Sequence, residues 1–212
     1  MIIPCHIDEF YLNNLIKSSL LARVYNKRML PAVFLDRDGV IIENRVDYIR
    51  TWEDVQILPG GMAALSRLNK TNFKIVIVTN QSAIGRGLIT QQIAEDINLR
   101  LMAEVKLAGA RLDAIYMCPH KPEDCCSCRK PRPGLILQAA HDLSIDLERS
   151  FLIGDALDDL RAGRAAGVKE VVLVLTGRGA QQFLSPEADQ LKPFLSFNNL
   201  ADAIDQLLCM LC

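Results

Sequence analysis

From Pro31 onward, apolar runs of strand length alternate with stretches of helical periodicity. The pattern predicts strands over Ala32–Asp36, Phe73–Asn80, Leu112–Cys118, Ser150–Asp155 and Val171–Thr176. Helical periodicity predicts a helix over Gly61–Asn69 and a second one after Thr90, a good N-cap, running to Gly109, a good C′ glycine. A third helix starts at Pro133, where proline suits the first turn, and a fourth covers Leu157–Ala166 with Gly167 just beyond. The β-α rhythm predicts a Rossmann-like, doubly wound parallel sheet in a three-layer α/β/α arrangement. The strands are apolar almost throughout, as strands covered on both faces are. After about Gly179 the chain reads as loop, and Asn198–Leu211 as a closing amphipathic helix.

Residues 1–30 differ from the rest and form an N-terminal extension to a single domain over 31–212. Leu15–Leu30 carries Lys17, Arg23, Lys27 and Arg28 among apolar residues. Three readings stand: a peripheral helix or ill-ordered tail, a start site upstream of the natural one at Met29, or a targeting or membrane-surface helix. The net charge of -1 gives no global basic field for nucleic acid or anionic membrane. No apolar run is long enough to span a bilayer and no secretory leader is evident, so a cytoplasmic monomer is expected.

The chemistry-bearing residues fall at strand ends. Asp36 and Asp38 end the first predicted strand, Thr79 and Asn80 the second, Asp155 the fourth, and Cys118 and His120 follow the third. In an open α/β sheet the carboxyl ends of the strands form the ligand-binding rim. That rim gathers Asp36, Asp38, Asp155, Asp158 and Asp159 with Arg37, Arg45, Arg129 and Lys130. Crowded carboxylates repel unless a cation neutralises them, and Mg²⁺ suits one or two carboxylates plus a phosphate. The bases then fit an anionic substrate such as a phosphate monoester. Asp158 also reads as a solvated position on the first turn of a helix.

Asp36-Arg37-Asp38-Gly39, Thr79-Asn80, Lys130 in Cys128-Arg129-Lys130-Pro131, and Gly154-Asp155 with Asp159 follow one another in order. The set resembles the haloacid dehalogenase superfamily of phosphohydrolases over roughly residues 32–179. The resemblance implies Asp36 as nucleophile and Asp38 as the acid and base that serves the leaving group and water. It implies Mg²⁺ on Asp36, Asp38 (through its backbone carbonyl) and Asp155, phosphoryl binding by Thr79 and Lys130, and an orienting role for Asp159.

Four of the seven cysteines (Cys118, Cys125, Cys126, Cys128) crowd one segment with His120, which suits a metal site better than a disulfide framework. The segment CPHKPEDCCSCRK resembles the superfamily branch of D-glycero-D-manno-heptose 1,7-bisphosphate and histidinol-phosphate phosphatases. That likeness implies Zn²⁺ on Cys118, His120, Cys126 and Cys128, although Cys125 and Cys128 also have zinc spacing. Only about 40 residues separate Asp38 from Thr79, which leaves no room for a large cap domain. The resemblance makes short loops the readers of a small phosphorylated sugar: Asn44, Arg45, Asp47, Tyr48, Asn80, Gln81, Ser82 and Arg129. Arg86 reads equally as a second phosphate contact or a surface ion pair. The loop NRVDY is one residue longer than the heptose enzymes' form, and Ala156 stands where they often carry a base. Other readings are histidinol-phosphate hydrolysis and a zinc-stabilised binding protein without turnover.

Overall fold

The computed structural model describes residues 29–210. All but the last two residues of the basic stretch Leu15–Leu30 lie outside that range, as do Cys5 and Cys212. Six parallel strands form one sheet: β1 Ala32–Leu35, β2 Lys74–Asn80, β3 Ala114–Cys118, β4 Phe151–Gly154, β5 Glu170–Val174 and β6 Leu195–Phe197, in the order β3-β2-β1-β4-β5-β6. The order reverses beside β1, whose neighbours are β2 on one side and β4 on the other. That switch point opens a crevice at the carboxyl ends.

Alternate strand residues feed two apolar layers, as the two-residue repeat of a strand requires. Val33, Leu35, Ile75, Ile77, Ile153 and Val172 face helices α1 (Gly61–Arg67), α3 (Gln91–Leu107) and α8 (Leu200–Cys209). Phe34, Val76, Val78, Leu152 and Leu173 face α4 (Gly134–Leu143), α5 (Leu157–Ala166) and α7 (Pro186–Leu191). The layers are α/β/α, and the segment between β1 and α1 holds only bridged loops and one 3₁₀ turn at Trp52–Asp54, not a cap domain. Among the described residues no helix is long and apolar enough to cross a membrane.

Helix ends follow their local signals. Thr90 Oγ1 accepts from Ile93 N at 3.2 Å and starts α3, while Gly109 and Gly167 take positive φ beyond α3 and α5. Four elements escaped the sequence pattern. Ser82–Gly85 forms a single helical turn (α2). The stretch after Gly179, expected to be loop, contains α6 (Gly179–Phe183), α7 and β6. These pieces are three to six residues long, too short to show a periodicity, and β6 exists because β5 offers a parallel edge through Val172, Leu173 and Val174.

Asp113 ties the edge strand β3 to β2. Its carboxylate accepts from Lys74 Nζ at 2.9 Å and Ile75 N at 2.8 Å. Burial alone would push this carboxyl up, but the hydrogen bonds from Lys74 and Ile75 outweigh it and hold it below its ordinary value of 3.8. Such a group adds stability that is complete above the unfolded value and is lost as pH falls through the folded one. Asp113→Asn is therefore expected to cost about 1–2 kcal/mol at pH 7 and to flatten the acid limb below about pH 4. Denaturant titrations across pH check this; parallel acid limbs for both proteins would contradict it.

Candidate active site

The switch point collects side chains from four strand ends. Asp36 follows β1, Thr79 closes β2, Asp155 follows β4, and Lys130 comes from the loop between β3 and α4. Lys130 is 3 % exposed, and its ammonium spends its donors on three acceptors. Nζ lies 2.8 Å from Asp36 Oδ1, 2.6 Å from Asp159 Oδ1 and 2.7 Å from the Val78 carbonyl. Burial would lower the lysine's proton affinity, yet Asp159 and Asp36 more than reverse this and hold it above the ordinary lysine value. The ammonium therefore keeps its proton at neutral pH.

Asp36 is pushed up as well, which for a carboxyl favours the neutral form. Burial, opposed by Lys130 and joined by Asp159, Asp155 and Asp38, raises its carboxyl to about 7. Asp155 is fully buried and also raised, by burial and by Asp159, against the opposing pull of Arg178. Its Oδ2 accepts from Arg178 N at 2.8 Å, and its Oδ1 is 3.3 Å from the Arg178 guanidinium. A Cβ at Gly39 would stand 2.1 Å from Asp155 Oδ2, so with φ +86° this position admits only glycine.

Ligand atoms of Asp36, Asp155 and Asp159 lie within 4.8 Å of one another. These three carboxylates face two cations, Lys130 and Arg178, and Asp36 Oδ1 has an ion pair but no well-aligned hydrogen bond. Surplus negative charge and an under-satisfied buried oxygen fit a hard divalent cation. The donor set is all oxygen, as Mg²⁺ requires.

Asp38 sits apart from that trio. Its Oδ2 accepts from Gln81 Nε2 at 2.8 Å and Arg37 Nε at 3.1 Å, and its Oδ1 from Arg37 Nη2 at 3.2 Å. Gln81 Nε2 also reaches Thr79 Oγ1 at 2.9 Å, so Gln81 aligns both neighbours. Arg37, expected as a rim cation for substrate, is instead 1 % exposed and turned inward. Its third nitrogen meets Asn98 of α3. Nothing in the sequence signals this, because strand-end neighbours look alike until the packing turns one inward.

A cavity of about 520 Å³ opens over these groups. Asp36, Asp38, Asn44, Arg45, Tyr48, Asn80, Gln81, Ser82, Arg129, Lys130 and Asp159 all line it, with Thr79 and Asp155 buried beneath. Asp47 does not line it; its carbonyl accepts from Arg50 Nε. Arg45 also pairs with Asp54 at 3.7 Å. Asn80 spends its amide on the backbone of Lys130, donating to its carbonyl and accepting from its N–H, both at 3.1 Å. Asn80 therefore fixes the loop that carries the lysine. Arg86 lines the cavity and lies 4.0 Å from Glu123, so both of its readings have a basis. Asp158 lies at the rim, paired with Arg161 at 3.0 Å. Arg178 and Gln182 line the cavity as well, and sequence reasoning missed both. The signal for Arg178 was its place four residues beyond β5, another strand that ends on the same rim.

The cysteine loop closes on itself. Sγ atoms of Cys118, Cys126 and Cys128 stand 3.3–3.6 Å apart, and His120 Nδ1 is 3.6 Å from Cys118 and 3.4 Å from Cys128. Metal–sulfur bonds of about 2.3 Å put tetrahedral sulfurs roughly 3.7 Å apart, so the four groups fit a metal ion. Cys125 points elsewhere, toward the Pro122 carbonyl. The loop delivers Arg129, whose guanidinium donates to Ser82 Oγ at 2.7 Å and the His120 carbonyl at 3.0 Å.

Fold and rim together define a hydrolase of the haloacid dehalogenase type, and the HAD-hydrolase-like family model matches residues 127–203. The D-glycero-β-D-manno-heptose-1,7-bisphosphate 7-phosphatase of Photorhabdus laumondii is 40% identical over 184 residues, covering 82% of this chain and 93% of that protein. Its counterpart in Pseudomonas aeruginosa is 36% identical and covers 83% and 97%. The D,D-heptose 1,7-bisphosphate phosphatase of B. bronchiseptica, solved with magnesium and phosphate, superposes with a TM-score of 0.78 at 33% identity, over 85% and 99% of the two chains. The chain belongs to the D-glycero-D-manno-heptose-1,7-bisphosphate 7-phosphatase branch of the haloacid dehalogenase superfamily and is a phosphoric monoester hydrolase.

Removing a buried charge from the Lys130 trio leaves its partners uncompensated. Lys130→Met is expected to destabilise the fold by about 3–5 kcal/mol. Adding Asp159→Asn to it should recover part of that loss, and urea denaturation of the single and double variants checks the coupling.

Proposed function

We propose that this chain is a Mg²⁺-dependent phosphatase that passes a phosphoryl group through Asp36 and removes the 7-phosphate of D-glycero-D-manno-heptose 1,7-bisphosphate. The single observation that carries the reaction is Asp36 ion-paired with the buried Lys130 in a cavity bordered by Asp38. The substrate rests on what the relatives are named for acting on.

In this reading an Asp36 carboxylate oxygen attacks phosphorus while the bond to the sugar oxygen breaks. Asp38 gives its proton to that departing oxygen. The Asp38 carboxylate then takes a proton from water as the water attacks the aspartyl-phosphate, releasing inorganic phosphate and restoring Asp36. Lys130 and Thr79 neutralise and orient the phosphoryl oxygens. Asp36, the backbone carbonyl of Asp38 and Asp155 would hold Mg²⁺, which when bound supplies charge neutralisation at the phosphoryl group. Asp159 keeps Lys130 in place. Asn44, Arg45, Tyr48, Gln81, Ser82 and Arg129 would read the sugar and its remaining phosphate, and the loop readings for Asp47 and Asn80 are weaker on their geometry. Cys118, His120, Cys126 and Cys128 would hold a structural Zn²⁺ that orders the Arg129-Lys130 segment, and a reducing cytoplasm suits such thiols. We further propose residues 31–212 as one phosphatase domain.

Asp36→Asn is expected to reduce turnover of every phosphate monoester to background in the presence of Mg²⁺. A panel with both anomers of the heptose bisphosphate, histidinol phosphate and simple sugar phosphates tests the substrate. Preference for histidinol phosphate would reject the heptose assignment and leave the reaction intact. Metal analysis should find about one zinc equivalent. It should be lost in Cys126→Ser/Cys128→Ser and kept in Cys125→Ser; full retention in the double variant would refute the ligand set.

A further inference from the structure

Arg37 is the largest fully buried side chain of the described residues, and none of the proposed steps uses it. Burying a guanidinium costs several kcal/mol unless its donors are matched. Two of its nitrogens fork onto Asp38. The third, Nη1, donates to Asn98 Oδ1 at 2.8 Å, across 61 residues of chain. A guanidinium only donates, so the amide oxygen must face it, which sets the Asn98 orientation. Asn98 is itself buried, on the inner face of α3 beside Ala94, Ile97, Leu101 and Val105. Its amide nitrogen finds only the weak acceptor Met117 Sδ, at 3.7 Å. A polar side chain on an otherwise apolar helix face, serving one buried cation, needs a reason beyond packing.

We infer that Asn98 is a positioning residue for proton transfer: through Arg37 it fixes the plane and place of the Asp38 carboxylate against the leaving oxygen. The inference rests on the proposed role of Asp38 as proton donor. Free of Asn98, the guanidinium has a donor without a partner and can swing toward another acceptor, taking the carboxylate with it. Proton donation matters most when the leaving group is a poor one. An alkyl (sugar) oxygen needs the proton, whereas a nitrophenolate leaves without it. Asn98 therefore acts selectively on sugar phosphates, although it lies outside the cavity lining.

The test compares kcat for a sugar phosphate and for p-nitrophenyl phosphate with the Mg²⁺-loaded full chain. Asn98→Leu and Asn98→Ala are expected to lose about 10- to 100-fold in kcat on the sugar phosphate, part of the 10²–10⁴ that a positioned acid supplies. Loss on the aryl ester should stay within about 3-fold, with KM little changed for both. Asn98→Asp, which keeps an acceptor oxygen facing Arg37, should recover most of the sugar-phosphate rate. Melting temperatures identify variants that fail to fold, and the smaller Asn98→Ala serves if the leucine does. Equal losses on both substrates, or no loss on either, would overturn the inference. Asp38→Asn separates this from the reading beneath it. Leaving-group-selective loss in Asp38→Asn without it in the Asn98 variants rejects Asn98 alone. Unselective loss in Asp38→Asn rejects the proton-donor role itself and with it the inference.

Discussion

The Lys130 ammonium lies buried between Asp36 and Asp159, and most of the site follows from that arrangement. A lone lysine in this position would deprotonate or draw the structure open, because desolvation disfavours its charge. The Asp36 carboxylate at the end of β1, the Asp159 carboxylate in the first turn of α5 and the Val78 carbonyl prevent this. Each acid in turn needs the lysine, so β1, the loop before α4, and the first turn of α5 are locked together by one charge. Asp159 serves twice, since its other oxygen accepts from Ala156 N and starts α5. The helix start and the ion pair are the same carboxylate.

Around this centre, charge is divided into two compartments. Asp36, Asp155 and Asp159 face Lys130 and Arg178 and retain a negative surplus suited to a metal ion. Asp38 is drawn off by Arg37 and Gln81 toward the other side of the crevice. The separation keeps the Asp38 carboxylate clear of the three carboxylates that crowd around Lys130. Two aspartates two residues apart thus acquire different environments from the sheet end and from the helix behind it.

The cysteine loop solves a different problem. The segment before α4 has little apolar content of its own, yet it carries Arg129 and Lys130 into the crevice. Four ligand atoms lie gathered within metal-binding distance just before these residues, and Arg129 is tied to Ser82 and the His120 carbonyl. Asn80 performs the corresponding task for the Lys130 backbone. The backbone of Lys130 is thereby fixed through neutral hydrogen bonds, and Arg129 through bonds from its own guanidinium.

Much of this was written in the chain order. Strand-length apolar runs ending in aspartate or threonine placed Asp36, Thr79 and Asp155 on one rim, because a parallel sheet points every carboxyl end the same way. Cysteine spacing likewise announced a closed cluster, since its members are near neighbours in sequence. What the sequence could not determine was the direction in which polar side chains turn and whom they meet. Arg37 reads as one more base at a strand end, Asn98 as one more polar helix position, and Arg178 as part of a loop. Each owes its place to a partner dozens of residues away or across the sheet, and so does the short strand β6. Such pairings arise only when separate elements pack, so the tertiary structure alone decided which charges were buried, paired or open to a ligand.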